Sequence, residues 1–441
     1  MKHWLMAVTL LAPAWAQGPA PVQLSLRRAV EIALSPEDGN TRVQIANELV
    51  RQAQARSSQA RAALLPDLEG SVGRQSQTRN LAAMGIQVRV PIPGFVFPEF
   101  VGPFSTFDAR ATMMTNLLDF SSIRRFQASR TAVRAAEAES DSTRDEVAAQ
   151  VAKAYMAALR ANAQVEAVEA NVKLADALLE LAKNQKAAGT GTGIEVTRAR
   201  NQLADQRQRL LVARNERTRM HLNLLRAMNL KLESPLELTD RLEYSPPEPV
   251  TVEQALKTAL ASRADWRAQQ RREAGARLSY SATKMERLPS VVGFADYGSI
   301  GSGIDQALPT RTYGVSLRVP VFDGGRRDAR RAESASQLRQ ESIRGRDLRA
   351  QIELEVRTAL DALQSAEEQV KVAGEGMGLA ENELAQAQRR YQAGVANSLE
   401  VTDAQTRLER ARDNRIAALF NFNQARIDLA QATGTIREIV K

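Results

Sequence analysis

One stretch of this chain occurs twice, and it constrains the fold more than any other feature. Residues 189–199 read GTGTGIEVTRA and residues 394–404 read GVANSLEVTDA, so Gly189/Gly394, Glu195/Glu400, Val196/Val401, Thr197/Thr402 and Ala199/Ala404 align at a constant offset of 205 residues. Each copy is a short turn entered from one long helical pattern and left through another. Gly189 and Gly394 stop the incoming helix because glycine tolerates left-handed backbone angles. Thr192 and Asn397 then stand where the returning helix needs an N-cap. A chain of 441 residues is therefore expected to be a duplicated helical hairpin with two tips.

The duplication extends outward from the tips. Ser25–Leu34 (SLRRAVEIAL) and Thr251–Leu260 (TVEQALKTAL) are near copies, each opening on a capping residue, with Gln254 completing a capping box in the second. A helix follows each, over about 41–63 and 264–287, and ends at Leu65-Pro66 or Leu288-Pro289, because proline disfavours helix in the residue before it. Beyond each proline the hydrophobic period changes from 3.6 to 2. Phe107, Ala109, Ala111, Met113 and Leu117 alternate with Asp108, Arg110, Thr112 and Asn116; Tyr313, Val315, Leu317, Val319 and Val321 alternate with Thr312, Ser316 and Arg318. These are strands with one apolar face, paired with weaker strands near 67–77 and 290–299, and their length suits a tilted β crossing of a bilayer. The Pro- and Phe-rich stretch 78–106 reads as a long loop.

Long helical runs follow, from about Ser121 and Arg326, each roughly 100 Å if unbroken. In the first, Val165, Val168, Val172, Ala175, Leu179 and Ala182 form one coiled-coil seam, and Leu174, Leu178 and Leu181 mark a second beside it. Two seams require a neighbour on each side, which suits a ring of helices. Gly374, Gly376 and Gly378 interrupt the second run; either they bend it or they admit a close neighbour. The resulting division is a leader at 1–16 and a first repeat at 17–230, with a β-hairpin over 66–118 and a helical hairpin over 121–228. A linker at 231–250 leads to a second repeat at 251–434, with a β-hairpin over 289–321 and a helical hairpin over 326–433, and then a tail at 435–441.

Composition narrows the function. Lys2 and His3, the apolar run Trp4–Leu11 and Ala14-Trp15-Ala16 have the form of a secretory signal peptide. The absence of cysteine removes disulfides and thiol chemistry. A formal charge of +9 is spread along helix faces and does not form a nucleic-acid patch. His221 is the one histidine beyond the leader, and no metal cluster, nucleophile elbow or phosphate loop is present, so neither an enzyme nor a cofactor is expected.

Four strands per chain leave two open edges, which lipid does not tolerate, so other copies of the chain must complete the sheet. Two copies make eight strands, filled by side chains; three make twelve, wide enough for a wet lumen facing Asp108, Arg110, Thr112, Asn116, Ser316 and Arg318. The fold class is therefore mainly α with a small β part: helical hairpins forming a trimeric α-barrel and four strands contributing to a twelve-stranded transmembrane β-barrel. The competing reading is an exported coiled-coil scaffold without a pore.

The order helix, Leu-Pro, strand, strand, long helix, Gly-turn-[Ile/Leu]-Glu-Val and returning helix, given twice, resembles the TolC-like outer-membrane efflux proteins. Pro320–Arg326 (PVFDGGR), Arg390–Gly394 (RYQAG) and Leu399–Ala404 (LEVTDA) carry the same resemblance. The first repeat departs from it at Asn116–Phe120 and in the extra glycines of 189–193. The resemblance implies a homotrimer in the outer membrane with a long periplasmic extension. It also implies that the tips at Gly189, Thr192, Gly193, Gly394, Asn397, Ser398 and Leu399 meet a periplasmic adaptor, which in turn joins an inner-membrane pump. It implies further that Glu400 and Asp403, with Glu195 as the first-repeat match, line the periplasmic aperture and that Tyr391 tethers the hairpins. Arg198, standing where the second repeat has Asp403, is the available counter-ion for that cluster.

Overall fold

The structure, a computed structural model, describes residues 22–86, 94, 98–246 and 248–439. The leader expected at 1–16 lies outside them. The elements in order are β1 (Val22–Leu24), α1 (Leu26–Ala33), α2 (Thr41–Ala62), β2 (Asp67–Asn80), β3 (Phe100–Leu118), α3 (Phe120–Ala187), α4 (Gly193–Ala227), β4 (Leu236–Leu238), α5 (Val252–Ser262), α6 (Ala264–Met285), β5 (Ser290–Gly301), β6 (Leu308–Arg318), α7 (Arg326–Gln392), α8 (Ser398–Thr433) and α9 (Ile436–Ile439). No proline falls within α3 or α7, so nothing clashes with the hydrogen-bond ladder over 68 and 67 residues. Gly374, Gly376 and Gly378 lie inside α7 without ending it.

The contacts divide the chain into two units. One holds the chain up to Asn47, Ser140–Ala264 and the chain from Arg349; the other holds Glu48–Glu139 and Asp265–Leu348. The core of the first unit gathers Val30 and Val43, Val147, Val151 and Tyr155 of α3, Leu224 and Met228, and Ile427 and Ile436. The stretch read as a plain linker contributes to it. Within that stretch β4 pairs in parallel with β1, in the register Leu24 to Leu238. The Tyr155 hydroxyl, fully buried, lies 2.9 Å from both the Leu24 carbonyl and the Asp240 carboxylate. Asp240 also accepts the Leu26 N–H at 2.8 Å, so a linker carboxylate satisfies an orphan donor at the start of α1. Three-residue strands carry no periodic signal, which is why this ladder was not legible.

Both seams of α3 are occupied. Ala175, Leu179 and Ala182 bury against Val196 and Leu203 of α4, and Val165 and Val168 against Ala213. Leu174, Leu178 and Leu181 pack on a separate cluster formed by Leu384, Ala387 and Tyr391 of α7 with Val401, Ala404 and Leu408 of α8. A helix with narrow seams on two flanks therefore meets two different neighbours inside one chain.

The second unit contains a four-stranded antiparallel sheet in the order β2-β3-β5-β6. Its register places Glu69 opposite Thr112, Thr112 opposite Asp296 and Asp296 opposite Thr312. By the two-residue alternation of strands, Asp108, Arg110, Thr112, Asn116, Ser316 and Arg318 share one face, while Phe107, Ala109, Ala111, Met113, Tyr313, Val315 and Leu317 share the other. Arg110 bridges the polar face, donating to Asp108 at 2.8 Å and lying 3.9 Å from Asp296.

Three strand boundaries differ from expectation. β2 runs on to Asn80 and β3 begins at Phe100, so Phe100–Thr106 are strand where a loop is expected, and the connection shortens to 81–99. Pro103 is tolerated because β5 pairs with β3 only from Phe107 onward, which leaves this stretch a partner on one side only, and the β2 register shifts between Gln77 and Arg79 opposite it. Pro91, Pro93, Phe95 and Phe97 of the expected loop lie outside the described residues. β6 ends at Arg318, so Val319 and Val321 fall beyond the strand, before and after Pro320, which lacks the N–H a ladder needs.

The two faces respond differently to charge. Leu317→Arg on the apolar face is expected to cost roughly 2–4 kcal/mol if it lies near a bilayer midplane, whereas Ser316→Arg on the polar face should assemble normally. Yield of membrane-inserted protein checks both, and equal loss from the two would place the register or the membrane face elsewhere.

Candidate functional site: the hairpin tips and the seam behind them

Both tips are built as their sequences require. Gly189 and Gly394 adopt φ of +75° and +72°, a region closed to most side chains, and so release the chain from α3 and α7. At the first tip the Thr192 N–H donates to Glu195 at 2.7 Å and its hydroxyl to the same carboxylate at 3.1 Å. At the second tip Asn397 accepts the Glu400 N–H at 3.1 Å, which caps α8. Glu195 and Glu400, equivalent in the repeat, thus hold different positions: Glu195 is spent on its own cap, while Glu400 is free to pair with Arg390 at 2.9 Å. Arg198, the counter-ion expected from the sequence, forms no ion pair among the described residues; Arg390, one turn before the tip of the same hairpin, is nearer to hand. Asp403 is exposed and likewise unpaired among the described residues. Three large apolar side chains, Ile194, Val395 and Leu399, are more than half exposed at these tips.

Behind the tips, four helices enclose a cavity of about 260 Å³ lined by Glu195, Arg198, Gln202, Tyr391, Leu399 and Gln405, among others. Glu195, Arg198, Tyr391, Ser398 and Leu399 are therefore brought together, whereas Glu400 and Asp403 do not line this space. The Tyr391 hydroxyl is buried without a hydrogen-bond partner. Burial, and then the Glu195 charge, push the phenol pKa above its ordinary value.

A buried polar cluster continues up the interface of α4 and α8. Glu409, with only 7% of its side chain exposed, accepts from Gln206 at 2.9 Å and from Arg209 at 3.3 Å, with Gln202 at 3.5 Å. Gln206 and Gln405 are fully buried beside it, and each keeps one amide atom unpaired. Burial is the main cause that raises the Glu409 pKa; Asp413 adds to it, while Arg209, Gln206 and Arg412 oppose it. Sequence reasoning missed this cluster. The available signal was the spacing of Gln405, Glu409 and Arg412, which forms a second stripe on α8 beside the apolar one, as Leu174, Leu178 and Leu181 do on α3.

A sheet polar on one face and apolar on the other, open at both edges, together with duplicated helical hairpins, defines a channel-tunnel protein. No helix among the described residues is long and apolar enough to cross a membrane. The chain belongs to the Outer membrane efflux protein family, which it matches over residues 38–230 and 255–435. It is 25% identical over 288 residues to the pyoverdine export outer membrane protein OpmQ of Pseudomonas putida, covering 64% of this chain and 61%, less than two thirds, of that relative. The OpmQ of Pseudomonas aeruginosa is 24% identical over 396 residues, covering 87% of this chain and 80% of the relative. In fold the chain is similar to the outer membrane protein VceC of Vibrio cholerae (TM-score 0.76, 20% identity, 93% of this chain and 96% of that one). It is equally similar to the outer-membrane channel OprN (TM-score 0.79, 19% identity, 93% and 90%).

The buried carboxyl makes stability depend on pH. A carboxyl whose pKa is raised by folding binds more protons folded than unfolded, so its contribution to stability declines as pH climbs from the ordinary value of 4.5 through the raised one. Glu409→Gln should flatten that decline, as read by melting temperatures from mildly acidic to mildly alkaline buffer. Identical pH profiles for the two proteins would assign the dependence to other groups.

Proposed function

We propose that this chain is the outer-membrane channel subunit of a tripartite export system, conducting its cargo passively as a homotrimer. The observation that carries this reading is the sheet: among the described residues β2 and β6 have no partner along their outer edges, and one face is apolar while the other is polar. Three copies would close twelve strands around the face bearing Arg110, Asp108 and Asp296, and would set six helical hairpins into a tube. The OpmQ relatives are named for pyoverdine export, which supports export as the activity. The role is transport without catalysis.

The exposed Ile194, Val395 and Leu399 offer an apolar surface at the tips for a periplasmic adaptor, which would couple the channel to an inner-membrane pump. Glu400 and Asp403 are the proposed aperture carboxylates, six in a trimer. Arg390, in place of Arg198, holds Glu400. Tyr391, buried with an idle hydroxyl between the two hairpins, is the proposed tether.

Native mass measurement on detergent-solubilised protein should give a trimer, and a stable monomer extracted by salt alone would instead favour a scaffold without a pore. In planar bilayers, replacing Glu400 and Asp403 together by Ala should lower the preference for cations over anions. Unchanged selectivity would remove these carboxylates from the pore mouth.

A further inference from the structure

The formal charge of +9 is unevenly placed. Of the 60 Lys/Arg and 51 Asp/Glu in the chain, 26 and 18 fall in the unit formed by Glu48–Glu139 and Asp265–Leu348, which leaves 34 and 33, close to balance, for the rest. The excess lies in the helices of that unit. Residues 48–62 of α2, 120–139 of α3, 265–285 of α6 and 326–348 of α7 carry 19 basic side chains, all but Lys284 arginine, against 9 acidic ones. Like charges concentrated in this way repel one another across a folded unit, a cost that a ligand of opposite charge offsets. The four helices follow one another in the order of the strands. Ser57 of α2 meets Ser129 of α3 at 3.1 Å, Arg272 of α6 donates to Glu139 of α3 at 2.7 Å, and Gln269 of α6 donates to the Glu341 carbonyl of α7 at 2.9 Å. One open groove of about 800 Å³ touches all four, through Arg56 of α2, Arg125 of α3, Arg271 and Arg272 of α6 and Arg344 of α7.

A row of helices presents all its members to a single groove only on its concave side, the side that a closed ring turns inward. The two carboxylates of the groove, Glu139 and Glu341, already hold Arg272 and Arg344, and Arg125 pairs with Glu286 outside the wall. Arg56 and Arg271 are exposed and form no ion pair among the described residues. Apart from these charges and Leu49, the wall consists of Ala, Gly, Ser and Gln, so an apolar or aromatic body finds almost nothing to pack on. We propose that this groove is a binding vestibule for a hydrophilic multivalent anion, one bearing several carboxylate, phosphate or sulfonate groups, and that the cargo of the channel is of this class. The proposal rests on the trimeric reading, in which three copies turn three such walls toward one lumen. Guanidinium groups match carboxylate and phosphate oxygens two at a time. A cleft lined by one sign of charge focuses its field and raises the local concentration of the opposite sign. Several exchangeable arginines hold an anion without trapping it, as conduction demands. Glu400 and Asp403 belong to the other unit and bear on the preference among small ions. A multivalent anion is held where positive charge is densest, so the two effects are read by different measurements.

Tripolyphosphate is the probe, with inorganic phosphate for comparison. Titration calorimetry on full-length protein in neutral detergent should show tripolyphosphate binding more tightly than phosphate, and more weakly as salt is raised. Arg56→Gln with Arg271→Gln should weaken it several-fold, and Arg56→Lys with Arg271→Lys should retain most of it. Arg51→Gln with Arg277→Gln removes the same number of charges from the same two helices outside the groove and should change it little. In planar bilayers tripolyphosphate should interrupt the single-channel current, and the Arg56→Gln, Arg271→Gln pair should shorten the interruptions. Absence of binding, or equal loss from the two glutamine pairs, would reduce the arginines to diffuse surface charge and overturn the proposal. Binding that leaves the current untouched would also overturn it, by turning these arginines toward lipid headgroups instead of the pore. If native mass on the same samples shows a trimer, each of these failures removes the vestibule and leaves the trimeric reading standing. A monomer removes both.

Discussion

Along the outer edges of β2 and β6, backbone N–H and C=O groups have no strand partner among the described residues. In water such an edge invites aggregation, and in hydrocarbon each unpaired group costs several kcal/mol. The apolar face of the sheet, with Leu68, Val72, Tyr313 and Val315 more than two-thirds exposed, is not covered by the described residues either. One constraint therefore supports two parts of the proposed reading at once: lipid for the apolar face, and further copies of the same chain for the edges. The proposed number of copies, three, rests on the polar face, since Asp108, Arg110 and Asp296 are charged groups that an eight-stranded barrel would have to bury and a twelve-stranded one leaves wet.

The helices meet the corresponding problem by different chemistry at each contact. Within the chain, α3 packs on α4 through a dry seam of Ala175, Leu179, Val196 and Leu203. The contact of the first hairpin with the second carries a buried carboxylate and three unpaired polar atoms, Tyr391 Oη, Gln206 Oε1 and Gln405 Nε2. Partly satisfied buried polar groups stabilise little and are easily exchanged for water. The base of the same helices is held by a core in which Tyr155, Val151, Leu224 and Met228 are fully closed off from solvent. The fully buried core thus lies away from the tips, where the proposed entrance is.

Much of this was legible in the amino-acid order, and for identifiable reasons. Periods of 3.6 and 2 report which face of an element is apolar, so the strands around Arg110 and Ser316, and both seams of α3, could be assigned by spacing alone. Glycine at 189 and 394, capping residues at 192 and 397, and proline at 66 and 289 are local instructions that act within a few residues. The repeat offset was equally plain, because Ala187 and Gln392 end their helices at equivalent places.

What local order cannot carry is the choice of partner across long sequence separations. The β4 strand pairs with a segment more than two hundred residues away through three residues, too few to leave a pattern. Pro103 stands inside a strand because β5 happens to stop short of it. Glu400 pairs with Arg390 and not with Arg198 because the turn at Gly394 brings α7 back beside the start of α8, and Glu409 is buried because α4 lies over it. The sequence by itself determined the elements, their faces and their duplication, since those depend on backbone sterics and periodicity. Only the tertiary structure decided which charges are paired, which polar atoms are left idle and which groove is left open, since those depend on distances between chain segments that no local pattern encodes.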